Sequence, residues 1–231
     1  MTGTEPLPLV DAVRRRLEIE DQVEHVRTTL TMTTNLTPSP AQLWPLLTDR
    51  TGLARWLGPI SANLVEGGRY RTEDGAHGQV LELVEPHKIS LTCQKGEVAD
   101  PIQVRLDPED DGTTSLRLSH TTLIDRERFD RLGPGAAAIR WEIALLALAA
   151  AVDGWEACVG CPTPEPTSAW LESPAGAEHL QAWSVRWAAE ELAAGVDEDT
   201  ARRGELATSS AYRGAPGGAD PAGADEGSEP A

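Results

Sequence analysis

His120 is the side chain in this sequence best suited to acid–base chemistry. It ends the segment LRLSH, in which alternate residues share one face of a strand, so His120 lies on the same face as Leu116 and Leu118. A polar group aimed into apolar surroundings has a shifted pKa, which is what a cyclase-like or hydrolytic site needs. The alternative is structural, because a histidine at the end of a strand also bonds a backbone carbonyl or water. His120 is therefore a catalytic candidate, and no residue is assigned a catalytic role.

The motif CVGC, from Cys158 to Cys161, is a second stretch with chemical potential. Two thiolates do not complete a structural zinc site, which needs four ligands, and Cys93 and His179 are the only nearby residues of a suitable type. The pair follows a predicted helix, so it lacks the helix N-terminus that lowers the pKa of a redox thiol. We interpret these cysteines as the start of a proline-rich linker. The sequence also lacks a glycine-rich phosphate loop and the motifs H-E-x-x-H and G-x-S-x-G, so neither a metal nor a cofactor is predicted.

The net charge restricts the partners that this protein can have. With 37 acidic residues against 20 Lys and Arg, the formal charge is -17, which repels nucleic acid and an anionic membrane surface. The first residues lack the apolar core of a secretory signal, and three cysteines are an odd number for a disulfide framework. The longest apolar run, 136–152, contains Arg140 and Glu142 and is too short to span a membrane. We expect a cytoplasmic protein that contacts no nucleic acid and has no membrane span.

Hydrophobic spacing in the first part of the chain predicts a strand followed by two short helices. Residues 26–36 alternate between apolar and polar side chains, as a half-buried strand does. The segment SPAQ, which begins at Ser39, is a capping box with proline at the first helical position, so a helix should run to about Thr48. Pro45 lies inside this helix and predicts a kink or an early stop. A second helix is expected over residues 51–57.

Turn residues punctuate the chain after residue 59 and predict about six antiparallel strands. Two of these strands alternate well, so one face of the sheet is wet and the other is covered. The best candidate for the cover is a helix from about Gly135 to Val152, whose apolar residues recur at helical spacing. The predicted fold is α+β, with a curved antiparallel sheet around one long helix and a space between them. Trp56 is expected to close one end of that space, and the pair Gly67-Gly68 to reverse the chain.

Several short motifs in order resemble one family. They are LWPLLTD, LARWLGP, VEGGRYR, GQVLELVEPHKISLT, DDGTTSLRLSH and a late helix around RWEIALLAL. This series resembles bacterial members of the SRPBCC (START-like) superfamily, in the branch named after the activator of Hsp90 ATPase homologue, over roughly residues 16–153. The resemblance implies a helix-grip fold with a deep cavity that often binds apolar small molecules. Relatives include lipid carriers, aromatic polyketide cyclases and a eukaryotic co-chaperone.

Five residues are predicted to form the ligand-binding site in the cavity: Trp56, Tyr70, His120, Trp141 and Leu145. Tyr70 can offer its hydroxyl to a ligand, or it can be an ordinary core residue. The two tryptophans are interpreted as cavity wall or core in preference to ligand anchors, because a buried indole stabilises by packing alone. The ligand that fits such a wall is an apolar or aromatic small molecule.

The sequence divides into four parts. These are a grip domain over 16–153, a linker over 154–172, a helical extension over 173–212 and an acidic tail over 213–231. The extension begins with a helix over 174–194, on which Leu180, Trp183 and Trp187 form one stripe, and a weaker helix follows over 198–212. Either the stripe packs on the grip domain, or its tryptophans anchor a protein partner. The tail is small, acidic and nearly free of apolar side chains, so it is expected to be disordered.

Three functions fit these patterns. In the first, which we favour, the cavity holds an apolar or aromatic ligand and the protein carries, senses or sequesters it. In the second, the protein is an interaction or co-chaperone-like module that acts through Trp183 and Trp187. In the third, which we favour least, it is an enzyme of the cyclase or dehydratase type that uses His120.

Overall fold

The computed structural model describes residues 8–94, 98–133, 135–152, 154–156 and 162–214, and within these ranges eight antiparallel strands form one curved sheet. The strands are β1 (Arg14–Asp21), β2 (His25–Leu36), β3 (Ile60–Ala62), β4 (Arg69–Thr72), β5 (His77–Val84), β6 (Lys88–Gln94), β7 (Ala99–Pro108) and β8 (Thr114–Asp125). Their order across the sheet is β1-β2-β8-β7-β6-β5-β4-β3. The last strand therefore joins the N-terminal hairpin to the meander of the other strands.

The helices lie mainly on the inner face of this sheet. They are α1 (Pro8–Asp11), α2 (Pro40–Thr48), α3 (Arg50–Ala54), α4 (Arg126–Leu132), α5 (Gly135–Ala151), α6 (Ser168–Leu171), α7 (Pro174–Ala193) and α8 (Glu198–Gly214). Residues of α5 and α7 join those of the strands in one hydrophobic core, and α8 packs against α7 and α4. In the described ranges, no helix combines the length and the apolar character that crossing a membrane requires.

The α+β helix-grip fold agrees with the sequence prediction. The strand predicted over 26–36 is β2, six strands follow residue 59, and the long helix predicted from Gly135 is α5. The sequence pattern does not predict β1. In that strand Arg14 and Arg16 are exposed, whereas Arg15 faces the interior together with Leu17. An inward arginine interrupts the apolar alternation that marks a strand, and its ion-pair partner lies far away in the sequence, on α5.

The helix α2 begins with the predicted capping box. The backbone N–H of Ser39 donates to Oε1 of Gln42 at 3.0 Å. α2 runs to Thr48, as predicted, so of the two effects expected of Pro45, a kink or an early stop, the early stop does not occur. The proline lacks only its own N–H, and its carbonyl still accepts the N–H of Asp49 at 3.0 Å.

The second short helix, α3, ends earlier than predicted, at Ala54 instead of Leu57. The chain tightens there, because the N–H of Trp56 bonds the carbonyl of Leu53, three residues back, at 3.2 Å. The indole N–H of Trp56 then donates to the carbonyl of Leu46 at 2.8 Å. The tight turn thus ties Trp56 to the end of α2. The sequence pattern also does not predict α1, α4 and α6.

The helical extension packs on the rest of the protein. As predicted, α7 is capped by Ser173, whose hydroxyl accepts the N–H of Gly176 at 3.2 Å. The stripe Leu180, Trp183 and Trp187 is at most 2% exposed and belongs to the same core as the strands and α5. The hypothesis that Trp183 and Trp187 anchor a protein partner is therefore wrong, because neither ring is accessible on the surface.

Two expectations fall outside the described residues. One concerns the acidic tail, of which residues 215–231 are not described. The other concerns the motif from Cys158 to Cys161. Both remain predictions from the sequence.

Candidate functional site

A cavity of about 440 Å³ lies between the inner face of the sheet and α5. The strands contribute alternate residues to its wall, including Ile102 and Val104 of β7 and Leu116 and Leu118 of β8. Each strand has one covered face, and alternate side chains lie on that face. The register between β7 and β8 places Val104 opposite Leu118, so apolar residues of the two strands lie side by side. The volume is of the size that holds a small organic ligand.

The helix α5 forms the opposite wall. Trp141, Leu145 and Leu148 follow one another at spacings of four and three residues, so they share the helix face that lines the cavity. Leu146 is fully buried on another face of the same helix, towards the core that α7 shares. A helix that is buried on more than one side is apolar nearly all round, which explains the run of alanine and leucine in its sequence.

Trp56 and the loop that follows it form one end of the cavity. Trp56, Leu57 and Pro59 belong to the wall, as predicted for Trp56 from its position in the sequence. The indole N–H of Trp56 donates to the carbonyl of Leu46, which fixes the ring. The ring therefore presents its carbon atoms to the cavity. Leu53 of α3, which is 6% exposed, also belongs to this end.

Gly67 and Gly68 hold the wall in register at the start of β4. Gly67 has a φ of +78°, and its N–H bonds the carbonyl of Val80 at 2.8 Å. The N–H of Val80 bonds the carbonyl of Gly68 at 2.9 Å. A Cβ on Gly68 would lie 2.0 Å from the carbonyl oxygen of Asn63, so no larger residue fits there. The two glycines therefore allow the close approach that places Val80 in the wall.

Tyr70 presents its ring to the cavity and uses its hydroxyl proton elsewhere. The hydroxyl donates to the carbonyl of Thr92 at 2.7 Å. Burial and the neighbouring Cys93 raise the pKa of Tyr70 far above its ordinary value. The ring covers Gly78, where an added Cβ would lie 2.9 Å from the ring atom Cε1. Tyr70 is thus a fixed part of the wall that stays protonated.

His120 lies behind the wall, next to Trp141. The indole N–H of Trp141 donates to Nδ1 of His120 at 3.0 Å, and the two rings meet edge to face at 80°. Because an indole only donates, Nδ1 is an acceptor and the ring proton sits on Nε2. Nε2 has no hydrogen-bond partner in the described part of the chain. His120 is 5% exposed and is not part of the cavity wall, whereas Trp56, Tyr70, Trp141 and Leu145 are.

The electrostatic environment keeps His120 neutral. Burial lowers its pKa to about 4, and the positive charge of Arg140 adds to that effect. A histidine with this pKa is a poor base near neutral pH. Its main interaction is the hydrogen bond that orients Trp141.

Charged side chains gather at one part of the wall. Arg140, at the start of α5, forms an ion pair with Asp74 of the turn between β4 and β5, with 3.1 Å between Nη1 and Oδ2. Both side chains are partly exposed, and Glu73 lies beside them in the wall. This pair joins the helix to the sheet at a partly exposed part of the wall.

Sequence reasoning missed Arg140, Asp74 and Cys93 as wall residues. Cys93 follows Ile89 and Leu91 at alternate positions in β6, so strand alternation alone would have found it. Arg140 and Asp74 come together only through the fold. In the ranges that the structure describes, no group of three or more His, Cys, Asp or Glu side chains could hold a metal ion.

The fold and the cavity define a helix-grip protein of the SRPBCC type. The chain belongs to the family described as "Activator of Hsp90 ATPase homolog 1-like protein", whose model matches residues 37–153, about half of the sequence. No curated protein matches this sequence. β1 and β2 precede the matched stretch, and α6, α7 and α8 follow it.

Two solved structures of CalU16 from Micromonospora echinospora are similar to this protein. The crystal structure is 21% identical, covers 78% of this chain and 98% of CalU16, and has a TM-score of 0.57. The solution structure is 22% identical, covers 80% and 97%, and has the same TM-score. At this level of identity the likeness shows the fold. It extends over more of the chain than the family model does.

Proposed function

We propose that the protein binds an apolar or aromatic small molecule in the cavity between the sheet and α5, and that it carries, senses or sequesters this ligand. The proposal rests on one observation, the cavity of about 440 Å³ with its predominantly apolar wall. Burial of apolar ligand surface against such a wall is the main source of affinity in sites of this kind.

The polar atoms of the wall support this proposal, because several are already bonded within the protein. The indole N–H of Trp56 donates to the carbonyl of Leu46, and the hydroxyl of Tyr70 donates to the carbonyl of Thr92. The hydroxyl of Thr48 donates to the carbonyl of Trp44 at 2.7 Å. The wall therefore offers a ligand mostly carbon. A polar ligand would lose its hydration in such a cavity without finding equivalent partners.

A cyclase or dehydratase that uses His120 has less support. A catalytic residue must reach the reacting atoms, and His120 is not in the wall. Its Nδ1 is occupied by Trp141, and its lowered pKa makes it a weak base. A co-chaperone-like role would need a surface other than Trp183 and Trp187, which are buried.

The proposal is tested by titrating the full chain with a neutral aromatic probe, N-phenyl-1-naphthylamine. We expect saturable binding of one probe per chain, with quenching of tryptophan fluorescence from Trp56 and Trp141. A second measurement compares the native and denatured masses of protein purified from its own host by mass spectrometry. The native mass should be larger by roughly a few hundred daltons, the mass of a ligand that fits the cavity. The absence of both a retained ligand and probe binding would overturn the proposal.

Filling the cavity gives the matched test. Leu145→Trp places a larger side chain in the wall and should lower probe affinity by about ten-fold or more. Leu192→Trp makes the same change on the exposed side of α7, where the leucine is 47% exposed, and should leave affinity unchanged. Equal affinities in the two variants would place the probe outside the cavity. Circular dichroism of both variants checks that they remain folded.

A further inference from the structure

The outer face of the sheet, which turns away from α5 and the cavity, carries a row of basic side chains in register. Arg14 of β1 lies opposite Thr33 of β2, which lies opposite Arg117 of β8. Arg117 in turn lies opposite Arg105 of β7, and Arg105 lies opposite Lys88 of β6. We call Arg14, Arg117, Arg105 and Lys88 the basic row. With neighbouring strands about 4.8 Å apart, the row is about 19 Å long.

The three arginines of the basic row have no ion-pair partner among the described residues. They are exposed on the outer face. Lys88 is the exception, because it is paired with Glu82 of β5. Asp107, two residues beyond Arg105 on the same face of β7, makes no ion pair with them in the described structure. The three arginines therefore present positive charge that no ion pair in the described structure compensates.

The stability of the sheet does not explain this arrangement. Like charges directly opposite one another on neighbouring strands repel, and Arg105 faces a cation on both sides. A chain with a formal charge of -17 also has few cations to place in one row. Thr31, Thr33 and Ser119 of the same face carry hydroxyls that can donate hydrogen bonds. A face with these groups suits a linear anion.

We propose that the basic row binds the acidic segment 215–231 of the same chain. This segment contains Asp220, Asp225, Glu226 and Glu229 and has no Lys or Arg. The segment thus offers four carboxylates to three arginines that have no ion-pair partner among the described residues, and to Lys88 at the end of the row. The stretch from residue 220 to residue 229 is about 30 Å long when extended, which is enough to follow the whole row.

The segment can reach the outer face by passing around the β1 edge of the sheet. α8 ends at Gly214 and packs beside α7, and α7 packs against β1, the edge strand that carries Arg14. Seventeen residues extend to about 55 Å, which is enough to pass around this edge. Because the segment is tethered, its effective concentration at the row is in the millimolar range, so a weak electrostatic contact is occupied at low salt. The contact lies on the opposite face from the cavity and is independent of the proposed ligand.

The test is paramagnetic broadening in the full chain. A nitroxide is attached at Ser228→Cys in a background with Cys93→Ala, Cys158→Ser and Cys161→Ser, and backbone amide signals are recorded at about 20 mM salt, where screening is weak. We expect selective broadening of β7 and β8 amides around Arg105 and Arg117 that disappears at about 0.5 M salt. Replacing the four acidic residues of the segment by Asn or Gln should remove the broadening without a change in chain length.

A matched pair of variants locates the contact. Arg105→Gln with Arg117→Gln should abolish the broadening, whereas Arg69→Gln with Arg71→Gln, which neutralises two exposed arginines of β4, should retain it. Loss of the effect in both pairs, or in neither, would overturn the proposal. So would broadening that appears only between a labelled and an unlabelled chain, since the occupant would then be a second copy. A last outcome concerns an acidic peptide that is added to the protein. If the peptide binds equally well whether the four tail charges are present or replaced, the row is assigned to another protein and the proposal is overturned.

Discussion

Trp141 links the cavity to His120 at the scale of single residues. Its ring is part of the cavity wall, and its N–H is bonded to Nδ1 of a histidine that burial keeps neutral. The role that the geometry supports for His120 is therefore to orient Trp141. A histidine suits this role because a neutral imidazole offers an acceptor nitrogen in an otherwise apolar setting.

Removal of this acceptor should destabilise the protein. His120→Leu leaves the N–H of Trp141 buried without a partner, which costs about 1–3 kcal/mol of unfolding free energy, measured by urea denaturation. His120→Gln, whose amide oxygen can accept the same hydrogen bond, should recover part of the loss. Equal stability of the leucine and glutamine variants would show that the hydrogen bond does not matter.

The same residue should contribute a pH dependence. The pKa of His120 is about 4 in the folded protein and 6.5 ordinarily, so between these values the unfolded chain binds a proton that the folded chain does not. The contribution of His120 to the free energy of unfolding is therefore largest above pH 6.5, and it decreases as the pH falls towards 4. His120→Gln should lack this decline, and an unchanged slope would contradict the assignment.

At the scale of elements, one buried ionic network joins β1, α5 and α7. Nε and Nη2 of Arg15 donate to the two carboxylate oxygens of Glu142 at 2.6 and 2.9 Å, and the indole N–H of Trp187 donates to Oε1 at 2.8 Å. Burial raises the pKa of Glu142, while Arg15 and Trp187 oppose that rise. The network fixes the helical extension against the long helix, one residue away from the wall residue Trp141.

Breaking one side of this network should cost more than removing both sides. Arg15→Met leaves an uncompensated buried carboxylate and should lower the unfolding free energy by about 3–5 kcal/mol. The double variant Arg15→Met with Glu142→Leu removes the charge as well and should be clearly more stable than the single variant. The measurement is a double-mutant cycle by chemical denaturation, and strict additivity would argue against a coupled pair.

Buried carboxyl groups set the pH response at the scale of the whole molecule. Glu191 of α7 is 2% exposed, its Oε2 has no hydrogen-bond partner among the described residues, and burial raises its pKa to about 8. Burial also raises the pKa of Asp100 to about 6. For both groups the folded protein holds the proton more tightly, so their ionisation as the pH rises favours unfolding, which is opposite to the effect of His120.

Glu191→Gln should therefore stabilise the protein at alkaline pH. Because the wild-type carboxyl loses its proton as the pH rises through about 8, the variant should be more stable by roughly 2–4 kcal/mol at pH 9, with little difference at pH 4.5. Thermal unfolding across this range measures the effect. Glu178→Gln, an exposed position on the same helix, should show no such trend. A constant difference between Glu191→Gln and wild type at all pH values would contradict the buried titration.

The local spacing of apolar and polar residues was sufficient to predict much of the fold and some residues of the candidate site. The alternation over 26–36, the capping box at Ser39 and the helical spacing after Gly135 all correspond to observed elements, because each depends on contacts within a few residues. The same patterns select Tyr70 and Trp141, which lie in the cavity wall. β1 escaped prediction because Arg15 faces inward towards a partner 127 residues away.

The sequence by itself determined the order of the main elements from β2 to α5, the apolar faces of the strands that alternate well, and the family to which the chain belongs. These depend on the period of hydrophobic residues and on short turn motifs, which are local properties. The tertiary structure decided that His120 bonds Trp141 instead of lining the cavity, that Trp187 is buried against Glu142, and that four basic residues lie in one row. Strand register and helix docking bring together residues that are distant along the chain, and a local pattern carries no information about them.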